Sequence, residues 1–450
     1  MVQSLLISST KKSSGKTIIS IGLSGLANKL GYDIQTFKKG PDFIDPSWLT
    51  LASRRPCYNL DFNTMGSDEI KRMYTEKSHG VDFSLIEGTK GLFDGISTDG
   101  GDSNAELAGL LKSNVLLVID CEGITRGIAP LLEGYKSFGK KLNLNKVILN
   151  NVSTSRHESK LISAISRYTD FRVLGVIPSI KNFIVERHLG LVPTFQHPHK
   201  TKVLSSLVSI IKNNTDYKKL LPLRSESQKK VIRSSLTKKK NSLVVGIASD
   251  AAFGFYYPDD IEEIERHGCR VKKIDLTRES RLASIDGLFI GGGFPEIQAQ
   301  RLQNNRSMKK SIRNAINRGL PVYAECGGLM YLANSIKFGK SLTKMCNGFD
   351  IDIEMHKKPI GRGYTVLESD NHPWAVKNKN IRAHEFHYSS VKFNKKRYKY
   401  AYNVKRGYGI NGRKDGLIYK NTIASFSHLR STSKFNWAKY FIKFIEQNNG

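Results

Sequence analysis

The sequence predicts two α/β domains in tandem, and three observations carry that expectation. The first half alternates short apolar runs with amphipathic stretches, the pattern of strands and helices wound around a mostly parallel sheet. A second strand–helix rhythm begins near residue 243, after a segment rich in Lys, Arg, Ser and Gln. At 450 residues the chain is too long for one ordinary core, and its 39% hydrophobic content suits packed domains rather than disorder.

Taken in order, Ser4-Leu5-Leu6-Ile7 reads as a strand that enters a glycine-containing turn and then a helix from about Thr17 to Leu30. Further apolar strands are expected at Phe83–Ile86, Val115–Ile119, Lys146–Leu149 and Val173–Ile177. Sites in such sheets lie beyond the carboxyl ends of the strands. From Thr215 to Asn241 the composition reads as a helix end followed by a linker. The expected partition is therefore a first domain over 1–214, a linker over 215–241 and a second domain over 242–450. The second domain opens with a strand at Leu243–Ala248, then a helix around Asp259–His267 and a strand at Gly287–Ile290. Beyond about Ile360 the chain turns to short β segments with aromatic and Gly-rich turns. There are no internal repeats.

A net charge of +31 raises the question of nucleic-acid binding. Local clusters exist at Lys238-Lys239-Lys240 and Lys395-Lys396-Arg397, but most basic residues are dispersed through both halves rather than gathered into a stripe. Nucleic acid is not the expected main partner; anionic small molecules such as nucleotides and polycarboxylates suit the field better. No apolar run is long enough to span a bilayer, and the N-terminus lacks a signal-peptide pattern. Five scattered cysteines show no C-x-x-C pair and no zinc spacing, so a reduced, cytoplasmic setting is expected.

The most informative stretch is Val322-Tyr323-Ala324-Glu325-Cys326-Gly327-Gly328-Leu329-Met330. It reads as a strand, a tight turn and a helix, which lifts a thiol onto an elbow at the positive end of a helix. A thiol there is biased toward its nucleophilic form. The alternative, a buried cysteine acting as a small hydrophobe, fits poorly with a glycine doublet that lets backbone N–H groups approach a developing oxyanion.

Ser8 to Thr17 follows the first strand and opens a helix, and Gly15-Lys16-Thr17 matches the end of a P-loop. Backbone N–H groups and the helix N-terminus would cradle phosphates, Lys16 would reach the terminal ones, and the Thr17 hydroxyl would ligate magnesium. Thr10 stands where the leading glycine of such a loop is usual. Lys11 lies five residues before Lys16, the spacing of the signature lysine in variant P-loop ATPases, and a solvated surface lysine is the equal alternative. Carboxylates at strand ends are the candidate metal partners: Asp42 and Asp45 in Lys38 to Pro46, and Glu87 and Asp94 in Ile86 to Gly95. Turn chemistry is the competing role for these acids, and for Asp61, but least so for Glu87, which ends a buried strand.

Together these segments resemble the glutamine-dependent cobyrinic acid a,c-diamide synthases over almost the whole chain. The matching segments are the variant P-loop, F-K-K-G-P-D-F-I-D-P, I-E-G-T-K-G-L-F-D-G and E-R-H-L-G-L-V-P (Glu186 to Pro193). In the second half they are G-G-G-F-P-E (Gly291 to Glu296), E-C-G-G-L-M-Y-L, H-E-F-H-Y-S (His384 to Ser389) and R-G-Y-G-I (Arg406 to Ile410). The resemblance implies a dethiobiotin-synthetase-like ATP domain followed by a class I glutamine amidotransferase-like domain. It implies a glutamine-hydrolysing carbon–nitrogen ligase that uses ATP, Mg2+ and L-glutamine to amidate a polycarboxylate tetrapyrrole, and it is compatible with a homodimer. By the same resemblance Gly15, Lys16 and Thr17 hold ATP; Thr17, Asp45 and Glu87 hold the metal; and Asp42, Asp45 and Asp94 face the acceptor. Cys326 attacks the glutamine amide, Gly293 and Gly327 supply oxyanion N–H groups, and His428 raises the nucleophilicity of the cysteine.

Spacing alone leaves His384 and His387 as competitors for that histidine role; the family's C-terminal placement implies His428. The chain departs from the family after His428, where it runs Leu429-Arg430-Ser431. Cobyrinic acid is the expected acceptor in cobalamin biosynthesis. Sirohaem or sirohydrochlorin, suggested by the Glu87–Gly95, Asp99–Ala105 and Thr125–Pro130 loops, and nickel-sirohydrochlorin are the alternatives. A non-catalytic P-loop switch fused to a binding module is the reading from a different class.

Overall fold

Strand Ser4–Ser9 is buried along its whole length. It sends Leu6 to one face of its sheet and Leu5 and Ile7 to the other. That is the behaviour of a central strand covered on both sides. The computed structural model describes residues 2–179, 186–187, 190–223 and 243–448, and the chain divides into two compact units, Met1–Ser234 and Ser235–Gly450.

Among the described residues, the first unit is built on a seven-stranded sheet in the order Tyr58–Leu60, Ile34–Lys39, Phe83–Glu87, Ser4–Ser9, Asn114–Asp120, Leu144–Val152, Arg172–Pro178. Every neighbouring pair is parallel. Helices Lys16–Lys29 and Lys200–Asn214 bring Ile19, Leu23, Val208 and Ile211 onto one face with Leu5 and Ile7. Helices Ser67–Lys77, Asn104–Leu111, Ile128–Phe138 and Ser155–Tyr168 bring Ile70, Leu107, Leu132 and Leu161 onto the other. The P-loop and the loops after Ile34–Lys39 and Phe83–Glu87 therefore all open at the carboxyl edge of adjacent central strands.

One boundary needs correction. Residues 215–222, expected to begin a linker, are packed into the first unit. Thr215 bridges Gly175, Asp216 N–H donates to Leu174 O at 2.7 Å, and Leu220 and Leu221 join the core. Apolar side chains one turn beyond a helix carry the chain back onto the sheet, which composition alone does not reveal. Residues 224–241 of the expected linker, with Lys238–Lys240, lie outside the described residues, as do residues 188 and 189 of the Glu186–Pro193 motif.

The second unit carries a nine-stranded sheet of two characters. Arg270–Ile274, Val244–Ala248, Gly287–Ile290, Val322–Glu325 and Thr422–Ser425 run parallel. Lys414–Tyr419, Lys399–Arg406, Gly361–Ser369 and Asn380–His387 then continue it antiparallel. Several of these later strands reach eight or nine residues, longer than the short β segments expected from sequence. A separate four-stranded sheet packs Ser341–Lys344, Ser335–Phe338, Ile351–Met355 and Ser389–Phe393. Among the described residues no helix is long and apolar enough to cross a membrane.

Candidate functional site

In the first unit the loop after Ser4–Ser9 is shaped by left-handed backbone at Ser13 (φ 61°) and Gly15 (φ 92°). Any side chain on Gly15 would collide with Asn150 Nδ2, which itself donates to Ser14 O at 3.1 Å. Helix Lys16–Lys29 starts at once, so its first N–H groups face the loop. The Lys16 ammonium donates to Ser9 Oγ at 2.8 Å. Burial and the neighbouring Lys38 charge push Lys16 down to about 8, a poorly compensated cation that an anionic phosphate would satisfy. Lys11 pairs with Asp120 at 2.9 Å on the same unit.

Four further side chains meet beside this loop. The Thr17 hydroxyl donates to Glu87 Oε1 at 2.7 Å and lies 3.4 Å from Asp45 Oδ2. Lys38, the residue that sequence reasoning passed over, places its ammonium 2.6 Å from Asp45 Oδ2 and 2.8 Å from Glu87 Oε1. Burial raises Glu87 to about 7 even against the Lys38 charge. Burial works in the same direction on Asp45, where Lys38 outweighs it and holds the carboxyl low. Glu87 Oε2 is buried with no hydrogen-bond partner.

The other acids do at least partly what turns require. Asp42 Oδ1 accepts from Ile44 N–H at 2.8 Å and Asp45 N–H at 3.2 Å, with its other oxygen 3.9 Å from Lys38. Asp61 accepts from Asn63 N–H and Thr64 Oγ1. Asp94 accepts from Gly91 N–H at 2.9 Å, and its charge acts on Lys16. Asn104 ties the Glu87–Gly95 loop to the P-loop strand, donating to Ser8 Oγ, Thr89 O and Gly91 O.

Hard oxygen donors with one orphaned carboxylate oxygen suit magnesium, which takes one or two carboxylates and completes its shell with phosphates and water. Thr17, Asp45 and Glu87 fit that donor set. No cluster of three or more acidic, His or Cys side chains that could hold a metal occurs among the described residues.

In the second unit Cys326 interrupts strand and helix with φ 48° and ψ −101°, a strained conformation for a residue with a Cβ. Strand Val322–Glu325 and helix Gly327–Leu332 flank it. Two clamps hold the elbow: Cys326 N–H donates to Ser425 O at 2.7 Å, and a side chain on Gly328 would collide with Ile290 O. The amide nitrogen of Gly293 is 3.0 Å from where a Cβ on Gly327 would sit. The two glycines named as oxyanion donors thus lie side by side.

His428 is positioned by the loop after Thr422–Ser425. Asp415, fully buried, accepts from the N–H groups of Phe426 and Ser427, both at 3.0 Å. His428 Nδ1 faces Glu325 Oε2 at 3.2 Å. Burial opposes protonation of this imidazole, but hydrogen bonds and charge from Cys326 and Glu325 prevail and raise it to about 10. A histidine that stays cationic beside a cysteine is the partner a thiolate needs.

The competing histidines are placed differently. His384 stacks on His428 with ring centroids 4.9 Å apart, and the two residues exchange backbone hydrogen bonds. Its Nδ1 meets Tyr257 OH at 3.3 Å; burial and the His428 and Arg430 charges keep it neutral. His387 lies flat on Phe426 at 3.8 Å, and its Nδ1–H donates to Ser389 O. Between them, Glu385 accepts from the N–H groups of Tyr408 and Gly409, joining the His384–Ser389 and Arg406–Ile410 segments that sequence alone left apart.

Two family models divide the chain as these sites do. Residues 5–192 match a CobQ/CobB/MinD/ParA nucleotide binding domain and residues 244–435 a CobB/CobQ-like glutamine amidotransferase domain. Relatives named cobyrinate a,c-diamide synthase match almost end to end. The protein of Magnetococcus marinus is 39% identical over 98% of this chain and 96% of its own. That of Archaeoglobus fulgidus is 35% identical with the same coverage. The one from Caldanaerobacter subterraneus subsp. tengcongensis is 33% identical over 98% of each chain. The chain belongs to the cobyrinate a,c-diamide synthase family. Within the family framework, Lys38, Glu325, Asp415 and Ser9 are the residues at the two sites that sequence reasoning gave no role. Lys38, Ser9 and Glu325 lie inside motifs already singled out, Glu325 directly before Cys326, whereas Asp415 lies beside none of them.

Proposed function

We propose that the protein amidates the a and c acetate carboxylates of cobyrinic acid, using ATP and ammonia released from glutamine. The observation that carries this reading is the pairing of a Cys326–His428 hydrolytic elbow with a Lys16–Thr17 P-loop, in a chain 39% identical over its length to a cobyrinate a,c-diamide synthase. A carboxylate is a poor electrophile. Transfer of the terminal phosphoryl group of ATP to a carboxylate oxygen gives an acyl phosphate and ADP; ammonia then attacks the acyl carbon and phosphate leaves.

In the first unit Gly15 and the first turn of helix Lys16–Lys29 bind the phosphates, and Lys16 balances charge on the transferring group. Thr17, Asp45 and Glu87 would hold magnesium, which would shield phosphate charge. Asp42 and Asp94 lie on the acceptor side. In the second unit Cys326 attacks the glutamine side-chain amide, and the N–H groups of Gly293 and Gly327 receive the oxyanion. His428 delivers a proton to the departing ammonia. Water then cleaves the thioester to release glutamate. The intact thiol–imidazole pair speaks against a non-catalytic switch. The test is mass spectrometry of products from parallel incubations with cobyrinic acid, sirohaem and nickel-sirohydrochlorin, each with ATP, Mg2+ and glutamine. Diamide formed from cobyrinic acid in preference to the others is expected; diamide from either alternative alone overturns the acceptor assignment.

A further inference from the structure

Glu325 is the residue immediately before the nucleophile, buried at the end of strand Val322–Glu325. Its carboxylate is fully engaged. Oε1 accepts from Tyr323 OH at 2.6 Å and from Leu429 N–H at 2.8 Å. Oε2 faces His428 Nδ1 at 3.2 Å. Side chains of consecutive strand residues ordinarily point to opposite faces. The backbone of Cys326, at φ 48° and ψ −101°, departs from strand geometry, and side chains 325 and 326 both reach the one imidazole. The segment after His428 offers no substitute acid, since position 430 is an arginine held at 2.9 Å by Asp259.

We propose that Glu325 is the third member of the glutamine-hydrolysing centre, a positioning residue that fixes the orientation of His428. With Nδ1–H given to Glu325, the ring turns Nε2 to Cys326, and the carboxylate balances the imidazolium that stands beside the thiolate. Tyr323 and Leu429 N–H act one step further back. They lock Oε1, so that Oε2 can only face the ring. Gly292 closes the opposite side: a Cβ there would sit 3.3 Å from His428 Nε2. The acid and the nucleophile therefore share one rigid strand end, and any shift of the elbow moves both against the histidine together. The proposal rests on the amidotransferase reading of Cys326.

The test is Glu325→Gln in the full-length protein, which preserves shape and one acceptor oxygen. Glutaminase kcat should fall by roughly 10²- to 10⁴-fold with little change in the KM for glutamine, up to the loss seen when the orienting acid of a serine-protease triad becomes its amide. The pH profile for alkylation of Cys326 by iodoacetamide, read on its peptide by mass spectrometry, should change shape because His428 loses a charge partner. Amidation driven by ammonium salt should remain, showing that the protein is folded. Wild-type kcat and an unchanged alkylation profile would return Glu325 to a packing role, while a dead Cys326→Ala left the amidotransferase reading intact. Should Cys326→Ala instead keep glutamine-dependent activity, that reading itself fails. If Glu325→Gln does not fold, the wild-type protein decides. A downfield proton resonance from a carboxylate-bound Nδ1–H, absent in His428→Gln, supports the proposal, and its absence from wild type overturns it.

Discussion

Lys38 and Glu87 form a buried ion pair at 2.8 Å, inside a cluster that also holds Asp45 and Thr17. The lysine leaves strand Ile34–Lys39 and the glutamate ends Phe83–Glu87, and these strands are parallel neighbours in register at this position. Without the ammonium, two carboxylates would face each other away from water. The ion pair thus lets acids be stored at the carboxyl edge before any nucleotide arrives.

Lys38→Met should therefore destabilise the first unit by about 3–5 kcal/mol, the usual consequence of stranding a buried charge. Chemical denaturation of the variant measures it. A loss below about 1 kcal/mol would mean that the acids relax to solvent without Lys38.

Lys16→Ala should abolish acyl-phosphate formation, assayed as ADP release dependent on the tetrapyrrole, while glutamine hydrolysis continues at least in part. Among the described residues, the hydrogen-bond partner of the Lys16 ammonium is the neutral Ser9 Oγ. Removing it leaves no stranded anion, so the fold should survive. Amidation at the wild-type rate in this variant would remove the P-loop from the mechanism. Glu87→Gln, nearly isosteric, should alter the magnesium dependence, and Asp94→Asn the hold on the acceptor; unchanged kinetics in both would leave these acids with turn chemistry only.

The contrast between Cys326 and Glu325 shows what the sequence could convey. A cysteine between a strand and two glycines advertises an elbow because only a tight turn needs that composition locally. The roles of Glu325 and Lys38 are not legible locally, because the contacts that set them, to His428 and to Glu87, span 103 and 49 positions, even though Asp45 lies only seven positions from Lys38. The parallel order of the first sheet followed from alternation, and the P-loop from its place between strand and helix. The antiparallel half of the second sheet was visible only as β-forming segments: its pairings depend on which strand meets the edge of Thr422–Ser425. Residues 215–222 looked like linker because basic and polar positions outnumber the few leucines that dock them.

The pH dependence of glutamine hydrolysis follows from His428. Its folded-state value is raised to about 10, above the unperturbed value of about 6.5. The imidazolium is thus retained through neutral and mildly alkaline pH, and the rate should fall only as pH approaches 10. The stability sign agrees: a raised value contributes stability below about 6.5 that is lost as pH rises through about 10. The stability advantage of wild type over His428→Gln should shrink over that window. An alkaline limb near pH 7 would show that the histidine is not held cationic.

His384→Ala should be milder than His428→Ala. His384 is neutral and touches the centre through a stacked ring. Such a contact is worth about 0.5–1.5 kcal/mol, or roughly a 2- to 12-fold change in glutaminase rate. His387→Ala should be milder still for turnover, because its ring packs on Phe426 and its proton goes to Ser389 O. Equal losses in all three variants would argue that the histidines act as one structural unit.

Cys326→Ala separates the two chemistries of the chain. Alanine cannot attack an amide, and serine in Cys326→Ser is far less nucleophilic near neutral pH, so glutamine hydrolysis should disappear in both. The proposed acyl-phosphate site would lie in the other compact unit, so ammonium salt at alkaline pH, where free ammonia accumulates, should restore amidation. The backbone strain at position 326 should stay, because alanine keeps a Cβ, and the side chain loses its contacts with Phe386 O and His428; stability is expected to equal or fall slightly below that of the wild type. The decisive quantity is the ratio of ammonia-driven to glutamine-driven amidation. A folded Cys326→Ala that keeps glutamine-dependent activity, or loses the ammonia-driven reaction too, would break the division of labour between the two units.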